Sequence, residues 1–211
     1  MGLFALLFEE PLLFFVLVGA LVFTLSIHEA SHAWVGNLLG DSTAKRMGRL
    51  TLNPFAHLDP IGFLMILFVG FGYAKPVPYN PYNLKYPRWG PALIAAAGPL
   101  SNLVFGIVCA IAYGFAEASL GGDNLLVLAL WFLGHINFAL MIFNLIPLPP
   151  LDGSKALLAA LAGPRYERAR MFIETQGPTV LLSLIVIDLL LNVGVFSWIT
   201  RLSDGLFRLL S

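Results

Sequence analysis

The stretch from Leu12 to Leu39 decides the fold, and it reads LLFFVLVGALVFTLSIHEASHAWVGNLL. Its first sixteen residues, Leu12 to Ile27, carry no charge, and the stretch exceeds the roughly 20 apolar residues that a transmembrane helix needs. Ionisable side chains are costly inside such a helix, so a cluster of them at its far end predicts a functional site. We therefore expect a membrane protein whose first span contributes residues to a functional site.

The composition also indicates one compact membrane domain. Of 211 residues, 58% are hydrophobic and only 11% are charged, and the mean hydropathy is +0.84. A soluble domain carries about 25% charged residues. Twelve basic and 12 acidic residues balance, which leaves no basic footprint for nucleic acid. The composition thus excludes a disordered chain, a soluble enzyme and a nucleic-acid-binding protein, and the single Cys109 excludes an internal disulfide.

Three further apolar runs are long enough to cross a bilayer. They are Pro91–Ala116, Leu125 to about Leu148, and Pro178 to about Ile199. The apolar stretch Ile61–Tyr73 is short for a span and predicts a re-entrant or interfacial segment. We expect an all-α integral membrane protein with about four transmembrane helices.

The basic residues predict the orientation of these spans. If Ile61–Tyr73 does not cross, ten basic residues lie on one side and two, Arg201 and Arg208, lie on the other. If it crosses, the split becomes 5 and 7, which carries no bias. Because cytoplasmic loops are enriched in Lys and Arg, the first arrangement is favoured. It places both termini outside and the basic loops in the cytoplasm.

The segment Gly48–Tyr86 is the least regular part of the chain. It contains five prolines and several glycines between short apolar pieces. Alternating pieces such as Arg49–Leu52 predict strands or the arms of small β-hairpins. An exposed strand edge at Leu50–Asn53 or Val77–Asn80 would capture an extended substrate by strand addition, whereas a plain lid over the site is the alternative.

The sequence His28-Glu29-Ala30-Ser31-His32 predicts a zinc site. Residues i and i+4 share one face of a helix, so the two imidazoles can bind one metal ion. Glu29 lies beside them and can accept a proton from water that the metal activates. This pattern favours hydrolysis of an amide bond.

A catalytic zinc site has three protein ligands as a rule, so one ligand is missing from this motif. We predict Asp152, which ends the third span in the sequence NLIPLPPLDG, Asn144–Gly153. Three prolines in that stretch forbid a regular helix and allow a carboxylate to point inward. Asp152 and the two histidines all lie toward the cytoplasmic ends of their spans, so their depths agree.

With these motifs the chain resembles the site-2 protease family of intramembrane zinc metalloproteases. The resemblance rests on His28-Glu29-x-x-His32, on Asn144–Gly153 and on Ala97–Asn102, and it covers about Leu12 to Leu158. The segments Gly48–Pro54, His57–Pro60 and Ala74–Pro78 are similar to the compact branch of that family, which lacks PDZ and CBS domains.

The resemblance implies regulated intramembrane proteolysis of single-span membrane proteins, with Zn2+ as cofactor and the lipid bilayer as surroundings. It implies that Asn144 hydrogen-bonds to the substrate backbone or the oxyanion, with a helix–helix hydrogen bond as the alternative. Asn102 and His57 are further candidates for substrate contact. Interhelical packing is at least as strong an alternative for Asn102, and a structural hydrogen bond is an equal alternative for His57.

We expect a single metalloprotease domain over residues 1–211, with a catalytic core at about 12–158 and a C-terminal helical segment at about 178–200. The main alternative is a zinc carrier or a helix-binding scaffold without protease activity. Neither task needs a base at Glu29, and a carrier needs polar groups along a whole transmembrane path. The sequence leaves the oligomeric state and the natural substrate open.

Overall fold

The structure is a computed structural model that describes residues 3–211. Within this range all regular structure is helical. The α-helices are α1 Leu6–Glu9, α2 Pro11–Leu38, α3 Thr43–Arg46, α4 Pro60–Val69, α5 Gly90–Leu120, α6 Leu125–Asn144, α7 Gly153–Ala160, α8 Glu167–Leu191 and α9 Ser197–Leu210. Short 3-10 turns lie at Leu3–Ala5, Pro54–Ala56, Pro81–Asn83 and Pro164–Tyr166.

The prediction of β-hairpin elements in Gly48–Tyr86 is wrong, since that segment contains no strand. Within it, Phe71 to Asn80 forms neither helix nor strand. Pro76 and Pro78 lack the N–H group that a β-ladder needs, which disfavours a strand here. We call Phe71–Asn80 the return segment, because it leads back from α4 toward α5.

Four helices are long and apolar enough to cross a membrane, as predicted. They are α2, α5, α6 and α8. The last of these, together with the 3-10 turn before it, covers Pro164–Leu191. The fourth span differs in its bounds from the predicted run Pro178–Ile199, because one helix ends at Leu191 and the next begins at Ser197. Asn192 and Gly194 adopt left-handed conformations there, and the Asp188 carboxylate accepts a hydrogen bond from the backbone N–H of Val195 at 2.7 Å.

Helices α2, α5 and α6 form the central bundle, and small residues let them approach closely. A Cβ added at Gly106 of α5 would lie 2.8 Å from the Phe138 ring of α6, so glycine is needed at this crossing. Asn137 of α6 donates a hydrogen bond to the Thr24 hydroxyl of α2 at 2.9 Å. Cys109 is buried in α5 as a free thiol.

Helix α9 packs along α5 and α6 through its apolar face. Phe207 is buried against Ala110 and Phe138, and its ring fits over Gly134. The His135 ring lies between Trp131 and Phe207, with centroid distances of 4.0 and 4.2 Å. His135 Nε2 also lies 3.1 Å from an Asp204 carboxylate oxygen, so this histidine serves interhelical packing.

Helix α4 is too short to cross a bilayer. Its ten residues span about 15 Å, half of a typical hydrocarbon core. Asp59 caps its start by accepting from the N–H groups of Ile61 and Gly62 at 3.0 and 2.9 Å, and Gly70 ends it with φ of 82°. The return segment then packs tightly on the helix, because Gly72 comes close to the carbonyl of Gly62.

Candidate metal centre

The two histidines and the glutamate of α2 lie together on one buried face. His28, Glu29 and His32 are 5%, 8% and 7% exposed. The two imidazole rings are 4.6 Å apart, and potential ligand atoms of all three residues lie within 4.8 Å of one another. The i, i+4 spacing therefore produces the convergent pair of rings that the sequence predicts.

Asp152 reaches the same point from the other side. Helix α6 ends at Asn144, and a run of turns brings Asp152 to the start of α7. Its Oδ2 atom lies 3.1 Å from His28 Nε2 and 3.4 Å from His32 Nε2. The next residue must be glycine, because a Cβ on Gly153 would collide with the carbonyl of Leu145.

These three side chains fit a zinc ion. Two ligands of a tetrahedral zinc at 2.0–2.1 Å lie about 3.3 Å apart, which matches the distances from Asp152 Oδ2 to both imidazoles. Oδ2 is buried and makes no hydrogen bond of ordinary geometry. Two nitrogens and one carboxylate oxygen form a donor set that catalytic zinc sites use, with a fourth position left for water or substrate.

Gly98 of α5 provides the space for this site. A Cβ at Gly98 would lie 2.5 Å from His28 Cε1, His28 Nε2 and His32 Nε2, closer than carbon atoms approach in proteins. Any larger residue would therefore push both rings away from Asp152. In the sequence Gly98 stood out only as part of the motif Ala97–Asn102, so its role at the metal centre was missed.

The far nitrogen of each imidazole also has a partner. His32 Nδ1 lies 2.7 Å from the carbonyl oxygen of Ile94, so this nitrogen carries the proton and donates it. The lone pair of Nε2 is then free to bind a metal, as in many zinc sites. His28 Nδ1 faces the side-chain amide of Asn102 at 3.1 Å.

The metal centre opens into a cleft of about 640 Å3. The return segment forms one wall through residues such as Val77 and Tyr79, and α8 forms another through Leu181 and Ile185. Asn144 also lines the cleft and donates a hydrogen bond to the carbonyl of Leu140 at 3.0 Å. The cleft thus combines the predicted polar residues with apolar walls.

Two residues predicted as tentative substrate contacts lie outside the cleft walls. Asn102 is 0% exposed and sits behind His28. His57 is 1% exposed, and its Nε2 lies 2.8 Å from the carbonyl of Thr51. These positions favour the packing and structural alternatives over direct contact with a substrate.

Arg49 holds the return segment in place, a role that the sequence did not reveal. Its guanidinium donates to the carbonyls of Pro76 and Lys75 at 3.1 and 2.5 Å, and it lies 3.5 Å from His57 Nδ1. The carbonyl of His57 accepts from the N–H of Lys75 at 2.8 Å. Burial lowers the pKa of Arg49, while the negative charge of Glu29 opposes that shift.

Asp41 anchors the C-terminal end of the return segment. Its carboxylate accepts from the N–H of Asn80 at 2.6 Å, from the Asn83 amide at 2.9 Å, and from both the N–H and the hydroxyl of Thr43. Burial alone would raise the pKa of this carboxyl, but the hydrogen bonds outweigh burial and lower the pKa below its ordinary 3.8. Arg49 and Asp41 together fix the wall that faces the metal centre.

Comparison with known proteins identifies the family. The protein named "Putative zinc metalloprotease YwhC" from Bacillus subtilis is 40% identical over 208 residues, which cover 91% of this chain and 92% of that protein. The family model described as Peptidase family M50 matches residues 122–187. This chain belongs to the site-2 protease family, peptidase family M50.

Other relatives of this site-2 protease are also named zinc metalloproteases. A protein named "Putative zinc metalloprotease Rip2" from Mycolicibacterium smegmatis is 27% identical over 195 residues, 90% of this chain and 71% of that protein. Its namesake from Mycobacterium tuberculosis is 30% identical over 207 residues, 92% of this chain and 76% of that protein. No solved structure matches the chain.

The resemblance in the sequence is therefore confirmed at the level of family, enzyme class and metal. The site-2 protease is a multi-pass membrane metalloprotease, and its cofactor is zinc.

Proposed function

We propose that this site-2 protease hydrolyses peptide bonds of single-span membrane proteins within or near the bilayer. In this proposal His28, His32 and Asp152 hold the zinc ion, and Glu29 is the catalytic base. The observation that carries the proposal is the convergence of these four side chains at a cleft between membrane helices, with 3.1 and 3.4 Å between Asp152 Oδ2 and the two imidazoles.

Glu29 handles the proton in this mechanism. Zinc, when bound, supplies the Lewis acidity that lowers the pKa of water and polarises the scissile carbonyl. Glu29 lies beside the two imidazoles and faces the cleft, so its carboxylate takes a proton from the attacking water. The same carboxylate then gives that proton to the amine that leaves.

Asn144 is proposed to orient the scissile peptide. It lines the cleft near Asp152, and its amide nitrogen is held by the carbonyl of Leu140. An amide fixed in this way can hydrogen-bond to the substrate backbone or to the oxyanion that develops on the carbonyl.

The substrate is proposed to lie extended along the return segment. The N–H groups of Val77 and Tyr79 make no hydrogen bond with the described residues, and both residues line the cleft. A substrate helix must unwind before cleavage, and its freed carbonyls need donors such as these. The opposite wall, with Leu181 and Ile185 of α8, is apolar and suits the side chains of a transmembrane segment.

The orientation belongs to the same proposal. With both termini outside, the ten basic residues of the loops lie in the cytoplasm and the metal centre opens toward that side. Cleavage there would release the cytoplasmic part of a substrate, which is the outcome that the resemblance to the family implies. The catalytic core at about 12–158 then holds all the zinc ligands, and the C-terminal helices supply a wall.

The Glu29→Gln variant tests the function. We expect one bound zinc per chain in both the wild type and the variant, since Glu29 is not a ligand in the proposal. We expect the variant to lose at least about 100-fold in cleavage of single-span substrates in detergent or liposomes, because it lacks the base.

Glu117→Gln is a suitable control, because Glu117 lies far along α5 and bonds to Tyr113 at 2.6 Å. It should cleave like the wild type. Retained turnover by a zinc-loaded Glu29→Gln variant would overturn the role of Glu29. Zinc in all three proteins, without cleavage of any membrane substrate but with cleavage of soluble peptides, would overturn the proposed substrate class.

A further inference from the structure

Asn102 is completely buried beside the metal centre, and it does not line the cleft. It lies on α5 one turn after Gly98, on the side of His28 that faces away from Asp152. Its amide nitrogen lies 3.1 Å from His28 Nδ1, and within residues 3–211 this is the hydrogen-bonding contact of that ring nitrogen. A polar side chain in such a place needs a reason, because burying an unpaired amide is costly.

Metal binding defines what His28 requires from this neighbour. An imidazole that gives its Nε2 lone pair to a metal carries its proton on Nδ1, and that N–H needs an acceptor. His32 has such an acceptor in the carbonyl oxygen of Ile94, at 2.7 Å. Among residues 3–211 no backbone carbonyl bonds to His28 Nδ1, so the Asn102 side chain must provide the acceptor.

The Asn102 amide can provide it. An amide group carries both a donor and an acceptor, and rotation by 180° exchanges their positions in the same space. Asn102 Oδ1 has no hydrogen-bond partner, so this rotation breaks no hydrogen bond made by the oxygen. After rotation Oδ1 lies where Nδ2 was, within hydrogen-bond distance of His28 Nδ1.

We propose that Asn102 is a positioning residue for the zinc site. Its Oδ1 accepts a hydrogen bond from the N–H of His28 Nδ1. This bond selects the tautomer with a free Nε2 lone pair and fixes the ring in line with Asp152. The proposal rests on the metal site described above. It assigns the same task to two different groups, a backbone carbonyl for His32 and a side-chain amide for His28.

The test is the zinc affinity of the full-length protein in detergent, measured by competition with a chromogenic zinc chelator. Asn102→Leu keeps the branched shape of the side chain and removes the acceptor, and we expect its zinc affinity to fall by about 10–100-fold. Asn102→Asp keeps an oxygen at the same position, and we expect it to retain zinc within about threefold of the wild type.

Asn137→Leu is the matched control. Asn137 is also 0% exposed, and it also bonds to a side chain of α2, but its amide donates to the Thr24 hydroxyl at 2.9 Å and to the Leu133 carbonyl at 2.7 Å. A general effect of losing a buried asparagine would appear equally in both leucine variants. We expect Asn137→Leu to bind zinc like the wild type.

Three results would overturn the proposal. Wild-type zinc affinity in Asn102→Leu would show that His28 needs no acceptor there. Equal losses in the two leucine variants would assign the effect to packing. A wild-type protein that binds no zinc in this assay would overturn the metal site itself and this proposal with it, which distinguishes the two failures.

Discussion

The metal centre and the wall that faces it are built in opposite ways. At the centre, both histidines lie on one face of the long helix α2, which packs against α5 and α6, and Asp152 follows α6 after a run of turns. The return segment Phe71–Asn80 has no regular structure, and buried side chains hold it at two points, Arg49 at Lys75 and Pro76 in its middle and Asp41 at Asn80. We infer that changes in the bundle affect zinc, whereas changes around the return segment affect substrate with zinc retained.

Gly98→Ala should give the largest effect on the bundle side. The added Cβ would lie 2.5 Å from atoms of both imidazoles, so the rings must move and the three ligands can no longer converge. We expect zinc content to fall from one per chain to well below one, with loss of cleavage. Metal analysis of the purified protein measures this.

Gly19→Ala is the control for Gly98→Ala. Gly19 lies in α2 with open space around the position of a Cβ, so alanine there should leave zinc binding unchanged. It should even favour the helix slightly, since alanine exceeds glycine in helix propensity by about 1 kcal/mol. A Gly98→Ala protein with full zinc and activity would contradict the close packing on which the metal centre depends.

Arg49→Lys should loosen the return segment and leave zinc binding unchanged. Lysine keeps the charge but cannot reach two carbonyls at once, as the planar guanidinium does. A buried hydrogen bond to a charged group contributes about 1.5–3 kcal/mol, so we expect cleavage efficiency to fall by about tenfold or more, mainly through KM. Zinc content should stay at one per chain.

Arg46→Lys provides the comparison for Arg49→Lys. Arg46 lies on the nearby helix α3 and bonds only to exposed hydroxyl groups of Ser42 and Thr43. Its replacement should leave KM unchanged. Loss of zinc in Arg49→Lys would contradict the division between bundle and wall, because it would show that the wall also supports the ligands.

Asp41→Asn should give the smallest effect, and this effect should depend on pH. The folded-state pKa of Asp41 is lowered, so its carboxylate stabilises the fold above the ordinary pKa of 3.8, and that contribution is lost as pH falls through the lowered value. At pH 7 we expect the variant to unfold about 2–4 °C below the wild type.

Below pH 3.8 the gap between the two unfolding temperatures should shrink, because the Asp41 carboxyl of the unfolded wild type then takes up a proton, until the folded carboxyl also takes one up at its lowered pKa. Comparing both proteins at each pH cancels any loss of zinc that they share. A gap that is constant from pH 7 down to pH 3 would contradict the role of the Asp41 charge.

The parts of the molecule that the sequence predicted well are those governed by periodicity. Four long apolar runs became four long helices, and the spacing of His28 and His32 placed both rings on one face. The proline-rich turn before Asp152 also brought its carboxylate to that face, as expected. In each case a local rule of backbone geometry was sufficient.

Contacts between distant segments could not be predicted in this way. The break at Asn192 and Gly194 was missed, although Asn and Gly are the residues that most often end a helix in a left-handed conformation. In the sequence Arg49 stood out only as one basic residue of a loop and as the start of an alternating piece, yet it is 5% exposed and donates to carbonyls 26 and 27 residues away. The prediction of hairpins failed because alternation at Arg49–Leu52 suggested a strand, whereas Pro76 and Pro78 of the return segment lack the N–H donors that a β-ladder needs.

Zinc-edge X-ray absorption of the purified wild type and of Asp152→Ala would show which residues bind the metal. We expect one zinc with two imidazole nitrogens and oxygen ligands at about 2.0–2.1 Å in the wild type. In Asp152→Ala we expect loss or strong weakening of zinc binding. A third imidazole, a sulfur ligand from Cys109, or an unchanged zinc spectrum in Asp152→Ala would contradict the assignment of the metal to the bundle residues His28, His32 and Asp152.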